Sequence, residues 1–462
     1  MSEAIMPPQH QIGTFRRVFH AATTVAVFSM AVKLAATAKE FVLAGVYGRS
    51  DAMDAYLIAS MIPNLLINLF AESMNQALIP TLVRVRIQEG AEQAQKLLAH
   101  TMMRLVLLLV GASIAMALLA PVAFPLIASN FAASKLESSI HIFWMLLPVV
   151  LLAGVASNCT AVLNTMDRFA IPALAPALMP LGIIASALLF GRQYGVWAVI
   201  CGNLLGVAAY ATFMAWIMNG HGYRFALSRG GESQAAREVA RQYGPVLLSS
   251  VVASGGLLAD QAMAAMLPPG SVSALVYAGR FASVAVTLLA GALASALTPH
   301  FSVLVADADW SGCRRSLRHW AGITALVSVP IAIALIAGAP FLVRLTLQHG
   351  VFTARDTAAV APVMAMYALQ IPFFAVSRVY YRFVLAMRRT DLILYCGIIN
   401  LVLDIVLNIV LMRWMGLAGI ALATSLWTAS TLAFLWYWSY RLLNQRLRVT
   451  APIRKDGMDR RA

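Results

Sequence analysis

The sequence predicts an all-α integral membrane protein with about twelve transmembrane helices in two parallel six-helix repeats. Three observations support this fold class. The mean hydropathy is +0.78, apolar runs of about 20 residues follow one another along most of the chain, and the second half resembles the first. The regular alternation of apolar and polar residues that a membrane β-barrel requires is absent, which leaves helices as the spanning structure.

Twelve segments are long and apolar enough to cross the hydrocarbon core, since a helical span needs about 20 residues. Several are longer than that, which indicates tilt or kinks. Prolines and glycines within them are candidate kink positions: Pro63, Pro245, Gly255, Gly256 and Pro372. The predicted spans are 18–44, 54–80, 100–124, 140–163, 170–190, 196–218, 243–266, 272–303, 320–342, 358–384, 391–412 and 418–440.

An internal duplication organises these spans, at an offset of about 220 residues. Because each half has an even number of spans, both halves enter the membrane from the same side, and the repeats are parallel. We therefore predict an N-lobe at 1–220, a cytoplasmic linker at 221–242, a C-lobe at 243–445 and a basic cytoplasmic tail at 446–462. The matching segments are 55–80 with 274–299, 162–168 with 384–390, and 194–196 with 415–417.

The net charge of +15 is best explained by membrane topology. Most of the 34 Lys and Arg residues lie in segments on the same predicted side as the two termini. Basic residues accumulate on the cytoplasmic side of membrane proteins, so both termini are predicted to be cytoplasmic. The basic charge then serves orientation and contact with membrane lipids, and no nucleic-acid partner is expected.

Five basic residues are predicted inside spans: Lys33, Lys39, Arg280, Arg378 and Arg382. A cation at the bilayer centre costs about 2.5–3.5 kcal/mol on the scale derived from translocon-mediated insertion, which gives the lowest values. Four carboxylates are also predicted within spans, namely Glu40, Glu72, Asp260 and Asp404. The excess of one positive charge favours an internal cavity that attracts an anion.

Internal salt bridges are the alternative explanation for these charges. Lys33 and Glu40 are seven residues apart and share a helical face, whereas Lys39 is about 100° away from Glu40. Arg378 and Arg382 lie near the cytoplasmic end of their span and have the length to snorkel. The stripe formed by Asn400, Asp404 and Asn408 is interpreted as an interhelical hydrogen-bonding seam rather than a cation site.

Several chemistries are excluded by the absence of their motifs. No GxxxxGK loop is present, so ATP hydrolysis is not expected. Neither H-E-x-x-H nor G-x-S-x-G occurs, and the four cysteines lack metal-ligand spacing. We therefore predict no catalytic residues and no metal site, and a protein that is not an enzyme.

In the segments 40–44, 47–48, 54–56, 63–66 and 70–72, the first two spans resemble the MurJ (MviN) family of lipid II flippases. These proteins belong to the multidrug/oligosaccharidyl-lipid/polysaccharide exporter superfamily. The resemblance extends over essentially the whole chain. The segments that carry it are 40–44, 47–48, 54–56, 63–66, 70–72, 163–165, 168–169, 171–176, 270–273, 277–280, 350–353 and 416–419.

The resemblance implies a V-shaped transporter of two lobes around a central cationic cavity. Basic residues of the family's cavity hold the diphosphate and sugar of an undecaprenyl-linked precursor. Family arginines fall on Lys33, Lys39 and Arg280, and family acidic positions fall on Glu40 and Asp54. Two further family arginines are Ile67 and Asn68 here, and the family commonly has fourteen helices, whereas twelve are predicted here.

These features lead to the hypothesis of a flippase in the bacterial cytoplasmic membrane that moves an undecaprenyl-diphosphate-linked saccharide outwards by alternating access. The diphosphate is expected to contact Lys33, Lys39, Arg280, Glu40 and Asp54. Secondary candidates are Glu72, Asp260, Arg378, Arg382 and Asp404. A coupling cation or the membrane potential is expected to drive transport, and no other cofactor is expected. Glycan-assembly enzymes are considered as partners.

Other functions compete with this hypothesis. Exopolysaccharide and O-antigen flippases carry the same polyprenyl diphosphate with different sugars. A cation-coupled drug antiporter would use Asp260, Glu72 or Asp404 as its ion site, but an excess of positive charge disfavours cationic drugs. A glycan polymerase would need a large outer loop, which is absent, and a scaffold would not need buried cations.

Overall fold

The computed structural model describes residues 8–166, 168–223 and 233–450. These residues are almost entirely helical, and no strand occurs among them. Eleven helices in this part of the chain are long and apolar enough to cross a membrane. The predicted all-α membrane fold is therefore confirmed.

The chain forms two compact units by the clustering of its contacts. The first consists of Met1–Tyr47 and Asp51–Ser254, and the second of Gly48–Ser50 and Gly255–Ala462. The two units meet between Ser254 and Gly255, inside the helix Gln234–Ala265, and the predicted linker at 221–242 overlaps the start of that helix. Residues 224–232 of that linker and 451–462 of the predicted tail lie outside the described residues.

The first unit contains eight helices and most of a ninth. A π-helix at Ile67–Glu72 joins the helices Asp51–Leu66 and Ser73–Gln88. A 3-10 turn at Ala175–Ala177 precedes the helix Leu178–Tyr194. The helices are α1 Pro8–Tyr47, α2 Asp51–Leu66, α3 Ser73–Gln88, α4 Ala91–Ile127, α5 Ala133–Asn164, α6 Ala170–Leu174, α7 Leu178–Tyr194, α8 Val196–Gly220 and α9 Gln234–Ala265.

The second unit begins within α9 and contains seven further helices. Asp309 caps the N-terminus of α11, where its Oδ1 accepts a hydrogen bond from the backbone N–H of Gly312 at 2.8 Å. The helices are α10 Ser271–Ala306, α11 Trp310–Ala337, α12 Ala339–Leu347, α13 Ala354–Ala368, α14 Gln370–Ala386, α15 Thr390–Met415 and α16 Leu417–Thr450.

The predicted spans correspond to these helices, with five differences. The fifth span, 170–190, covers α6, the 3-10 turn and part of α7, and the ninth, 320–342, covers the end of α11 and the start of α12. The first, 18–44, lies in the 40-residue α1, which is not among the eleven helices that meet the length and hydropathy criteria. The second, 54–80, is a longer helical segment, Asp51–Gln88, interrupted by the π-helix. The tenth, 358–384, is divided between α13 and α14.

Helices of the first unit pack closely where small residues face each other. α5 lies against α2, α4 and α8, and α7 lies along α8. A Cβ atom on Gly202 would lie 2.7 Å from the carbonyl oxygen of Gly182, closer than side chains are found. Glycine at these positions therefore lets the backbones of α7 and α8 approach directly, as is common between membrane helices.

The first part of α9 is held in the first unit by polar contacts. Arg84 on α3 forms an ion pair with Glu238. The hydroxyls of Ser73 and Ser250 are 2.8 Å apart, and the Tyr243 hydroxyl donates to the carbonyl of Phe70 in the π-helix at 3.4 Å. These contacts hold the part of α9 before Gly255 against α3 and the π-helix.

The short connection Gly48–Ser50 belongs to the second unit. Tyr277 is fully buried, and its hydroxyl donates to the carbonyl of Gly48 at 3.1 Å. The Arg49 side chain donates from Nε to the carbonyl of Gly270 at 2.9 Å. Gly48 has a φ of +59°, a left-handed conformation that favours glycine over residues with a Cβ.

Candidate functional site

The predicted site residues are distributed over both units. Lys33, Lys39, Glu40, Asp54 and Glu72 lie in the first, and Asp260, Arg280, Arg378, Arg382 and Asp404 lie in the second. Their surroundings differ from one another, and they are described unit by unit.

On α1, Lys39 forms an ion pair with its neighbour Glu40, with Nζ 2.9 Å from Oε1. The Glu40 side chain is 1% exposed and that of Lys39 17%. The seven-residue spacing predicts that Lys33, rather than Lys39, lies on the same helical face as Glu40. The four-carbon stem of lysine spans the angle between adjacent side chains, which a wheel drawn at the Cα atoms does not show. Lys33 itself is exposed.

Asp54 is bound by Lys135, which lies between the third and fourth predicted spans. Lys135 on α5 donates to Asp54 Oδ2 at 3.1 Å and to Asp51 Oδ1 at 2.6 Å. Its ammonium also lies 4.0 Å from the centre of the Phe131 ring. The Asp54 side chain is 1% exposed, and that of Lys135 is 9% exposed. This geometry ties the start of α2 to α5.

Glu72 ends the π-helix and connects to α5 through Ser157. The Ser157 hydroxyl donates to Glu72 Oε1 at 3.0 Å, and the Asn75 amide donates to the Ser157 carbonyl at 3.0 Å. A π-helix re-aims the side chains that follow it and is frequent at functional sites. Glu72 is exposed, although Asn75 and Ser157 are buried.

In the second unit, Arg280 lies on α10 and is partly buried. The residues before it, Tyr277 and Ala278, are fully buried, so the helix is firmly packed at this level. The backbone carbonyl of Arg280 accepts a hydrogen bond from the Ser283 hydroxyl at 2.9 Å. The position of the side chain is thus set by a well-anchored part of α10.

Asp260 and Asp404 meet in a buried polar cluster of the second unit. The Asn408 amide donates to Asp260 Oδ1 at 2.7 Å and to Asp404 Oδ1 at 3.3 Å. The Thr424 hydroxyl donates to Asp260 Oδ2 at 3.3 Å. These bonds connect α9, α15 and α16, as expected for an interhelical seam.

The same cluster has an incomplete set of partners. Asp404 is 2% exposed, and its Oδ2 has no hydrogen-bond partner. The Oδ1 of Asn408, which is fully buried, has none either. Within the described part of the chain, neither aspartate forms an ion pair with a basic side chain. Gly256 faces this point, since a Cβ there would lie 3.0 Å from Asp404 Oδ2.

Arg378 and Arg382 lie one turn apart on α14. The Arg378 guanidinium is 4.1 Å from the centre of the Phe374 ring and 5.3 Å from that of Tyr381. The Arg382 guanidinium is 5.7 Å from the Tyr381 ring. Both arginines are partly buried, and the Nε atom of each is buried without a hydrogen-bond partner.

The sequence identified the charged residues of these sites but missed several of their partners. Lys135, Ser157 and Thr424 are separated from their carboxylates by about 80 to 160 residues along the chain. No local pattern links them. In residues 8–166, 168–223 and 233–450, no three His, Cys, Asp or Glu side chains are grouped as metal ligands.

Comparison with known proteins places this geometry in context. The family model described as "Lipid II flippase MurJ" matches residues 43–452. The lipid II flippase MurJ of Burkholderia cenocepacia is 28% identical over 369 residues, which cover 76% of this chain and 70% of that protein. The probable lipid II flippase MurJ of Buchnera aphidicola subsp. Schizaphis graminum is 23% identical over 429 residues, covering 90% and 82%.

Solved structures show the same fold. A lipid II flippase MurJ in an inward closed conformation superposes with a TM-score of 0.77 at 21% identity, covering 90% of this chain and 86% of that one. An inward-facing multidrug resistance transporter of the MATE family also gives 0.77, at 12% identity, with 93% and 99% covered. At these identities the likeness concerns the fold alone.

Proposed function

Because this chain belongs to the lipid II flippase MurJ family, whose model matches residues 43–452, we propose that it moves lipid II from the cytoplasmic to the outer leaflet. The movement would proceed by alternating access, as in other transporters built from repeats. The protein is a multi-pass membrane protein, and we place it in the bacterial cytoplasmic membrane with both termini in the cytoplasm.

The observation that carries the proposal is the retention of basic side chains within the membrane-spanning helices of a chain that matches this family. Lys33, Lys39 and Arg280 are the residues we assign to the diphosphate. Guanidinium and ammonium groups form strong, charge-assisted hydrogen bonds with phosphate oxygens. Arg280 supplies a planar fork of N–H groups, and the two lysines supply point charges.

We assign different roles to the carboxylates of Glu40 and Asp54. Glu40 would hold Lys39 in place through the 2.9 Å ion pair, and this limits how far the Lys39 ammonium moves towards a ligand. Asp54 is engaged by Lys135 at 3.1 Å, and we assign it to the stability of the first unit rather than to headgroup binding.

The polar cluster around Asp404 suits a coupling cation such as Na⁺. Its oxygen atoms belong to Asp260, Asp404, Asn408 and Thr424, and hard cations prefer oxygen ligands. The unpartnered Oδ2 of Asp404 and Oδ1 of Asn408 give such a cation a place to bind. A bound cation would supply positive charge that the neighbouring side chains lack.

The membrane potential is a second source of drive. Outward movement of an anionic headgroup is favoured when the inside is negative, by about 2.3 kcal/mol per charge per 100 mV for full transit. The polyprenyl tail would stay in the bilayer while the headgroup crosses. We propose no catalytic step, and glycan-assembly enzymes are the partners expected to supply and consume the substrate.

Complementation tests the proposal. The chain is expressed in a bacterium depleted of its own lipid II flippase, and its insertion is verified in isolated membranes. Restored growth is the expected result. Lysis despite full insertion would contradict the assignment of lipid II and would favour an exopolysaccharide or O-antigen precursor, which carries the same diphosphate.

A further inference from the structure

A line of polar side chains, the polar seam, leads away from the aspartate cluster between α15 and α16. It consists of Asp404, Asn400, Thr431 and Cys396. The Asn400 amide, one helical turn from Asp404, donates to the Thr431 hydroxyl at 2.8 Å and to the Cys396 sulfur at 3.5 Å. Asp404 and Cys396 are both buried. The polar seam therefore continues inside the second unit for two helical turns, about 12 Å, beyond the cluster.

The polar seam runs towards the predicted cytoplasmic side of the membrane. With the N-terminus in the cytoplasm, ten spans return the chain to that side before α15 begins at Thr390. Cys396 follows this start by six residues and Asp404 by fourteen, so Cys396 is the closer of the two to the cytoplasm. A cation that left the cluster along the polar seam would move towards the cytoplasm.

Two arginines lie at the cytoplasmic end of the polar seam. Cys396 is close enough to the Arg378 guanidinium for the two groups to interact electrostatically. That guanidinium lies 4.1 Å from the centre of the Phe374 ring. Arg382 follows one turn later on α14, with its guanidinium 5.7 Å from the Tyr381 ring. The uncharged part of the polar seam thus ends at positive charge.

Neither charge is neutralised within the described part of the chain. Arg378 and Arg382 form no ion pair there, and the Nε of each is buried without a hydrogen-bond partner. α14 packs mainly against α10, α11 and α16, and none of these four helices contains an aspartate or a glutamate. Asp391, near the start of α15, is engaged by Arg389 at 2.7 Å. The two arginines therefore keep their full positive charge inside a span.

Membrane topology does not account for Arg378. Basic residues that orient a span lie near its ends, whereas α14 continues to Ala386, eight residues or about 12 Å beyond Arg378. The guanidinium lies over Phe374, one turn in the opposite direction, as expected for a helical side chain that points towards the N-terminus. The charge is held at the level of the polar seam instead of at the membrane surface.

We propose that Arg378 and Arg382 form an electrostatic barrier that prevents the coupling cation from passing along the polar seam between the aspartate cluster and the cytoplasm. Fixed positive charges on a polar path exclude cations. Alternating access requires the cation site to open to one side at a time, and a second route to the cytoplasm would dissipate the cation gradient without transport. The proposal rests on the proposed function for the assignment of a coupling cation to the cluster.

The barrier has a defined consequence for ion flux. With both charges present, Na⁺ exchanges with the cluster only when the transport cycle opens it, so the protein without substrate should pass little Na⁺. Without the two charges, the polar seam connects the cluster to the cytoplasm. Na⁺ should then leak through the protein in the absence of any lipid-linked substrate.

Uptake of radioactive Na⁺ tests the barrier, in proteoliposomes that contain the purified full-length protein and no lipid-linked substrate. Arg378→Gln/Arg382→Gln should raise the uptake at least about tenfold above that of the wild type. Arg378→Lys/Arg382→Lys keeps both charges and should remain near the wild type. Arg389→Gln removes a charge from an exposed pair outside the polar seam and should also behave as the wild type does.

A third substitution tests the route of the leak. Adding Asp404→Asn to the double glutamine variant removes one carboxylate of the cluster and should return the uptake to near the wild-type level. Folding is verified by the unfolding midpoint in detergent. Where the double variant does not fold, Arg378→Gln alone decides, because it removes the charge closest to Cys396 and should show a leak by itself.

Wild-type Na⁺ uptake by the folded glutamine variants would overturn the proposal. A leak that Asp404→Asn leaves unchanged would also overturn it, because the ions would then bypass the cluster. A leak that depends on both the arginines and Asp404, in a protein whose lipid transport does not respond to Na⁺, would contradict the coupling cation alone. Na⁺-dependent lipid transport without a leak in the variants would contradict the barrier alone.

Discussion

At the scale of single residues, each charge in this protein is best explained by the atoms next to it. Lys135 and Asp54 are nearly buried and form an ion pair with each other. Arg378 and Arg382 contact aromatic rings and form no ion pair within the described part of the chain. Asp260 and Asp404 share an amide donor and lack a cation among the described residues. The first arrangement stabilises the fold, the second leaves two positive charges in a span, and the third is suited to bind a cation.

Replacing Lys135 by methionine should destabilise the first unit. The change removes the ammonium group from Asp54, whose side chain is 1% exposed, and losing one partner of a buried ion pair costs about 3 kcal/mol. Thermal unfolding in detergent should show a clearly lower midpoint. The control is Lys96→Met, which breaks an exposed pair with Glu92 and should change the midpoint little. Equal midpoints for the two variants would contradict the role assigned to Lys135.

Replacing Arg280 by alanine should strongly reduce transport and leave membrane insertion intact. The residue is partly buried on a firmly packed part of α10, and its guanidinium is assigned to the diphosphate. Losing one charge-assisted phosphate contact should reduce the rate by about tenfold or more. Arg413→Ala, at an exposed position of α15, is the control. Wild-type transport by Arg280→Ala would argue against the assignment.

At the scale of helices, the sequence predicts the elements well and their irregularities poorly. The length of each apolar segment locates the spans, because a helix must be long enough to cross the hydrocarbon core. The π-helix at Ile67–Glu72 has no comparable local signal, since it depends on the contacts of its neighbours. The pairing of Lys135 with Asp54 joins residues 81 apart, so no spacing rule identifies it. The ion pair of Lys39 with Glu40 depends on the side-chain rotamers of the two residues, which residue spacing does not specify.

Close approach of α7 and α8 depends on glycine. In Gly202→Ala the new Cβ would lie 2.7 Å from the Gly182 carbonyl oxygen, so the two helices must move apart. We expect a loss of roughly 1–3 kcal/mol, typical of overpacking, and a lower unfolding midpoint in detergent. Gly111→Ala on α4, where nothing lies within 4 Å of the new Cβ, serves as the control. A Gly202→Ala midpoint at or above that of Gly111→Ala would be inconsistent with this packing.

At the scale of the whole molecule, the two units contain different sets of charged residues. The first half keeps Lys39 beside Glu40, and the second gathers Asp260 and Asp404 with no cation beside them in the described part of the chain. The sequence did not indicate which of the five cations have partners, because the partners come from distant helices.

The assignment of a coupling cation predicts a defect in ion dependence. Asp404→Asn removes one of two carboxylates from the cluster, so the dependence of transport on Na⁺ should weaken by about tenfold or disappear. Transport is measured in vesicles over a range of Na⁺ concentrations at constant ionic strength. Asp391→Asn lies on the same helix in an exposed pair with Arg389 and should behave as the wild type. An unchanged Na⁺ response in Asp404→Asn would rule out this site as the coupling site.

The most direct test of the account is the exposure of lipid II at the outer surface of cells depleted of their own flippase. An enzyme that degrades lipid II is added outside, and the cleaved fraction is measured with and without this chain. Extensive cleavage is expected with the wild type, and much slower cleavage with an equally inserted Arg280→Ala variant. Background cleavage with the fully inserted wild type would contradict the claim that this protein moves lipid II.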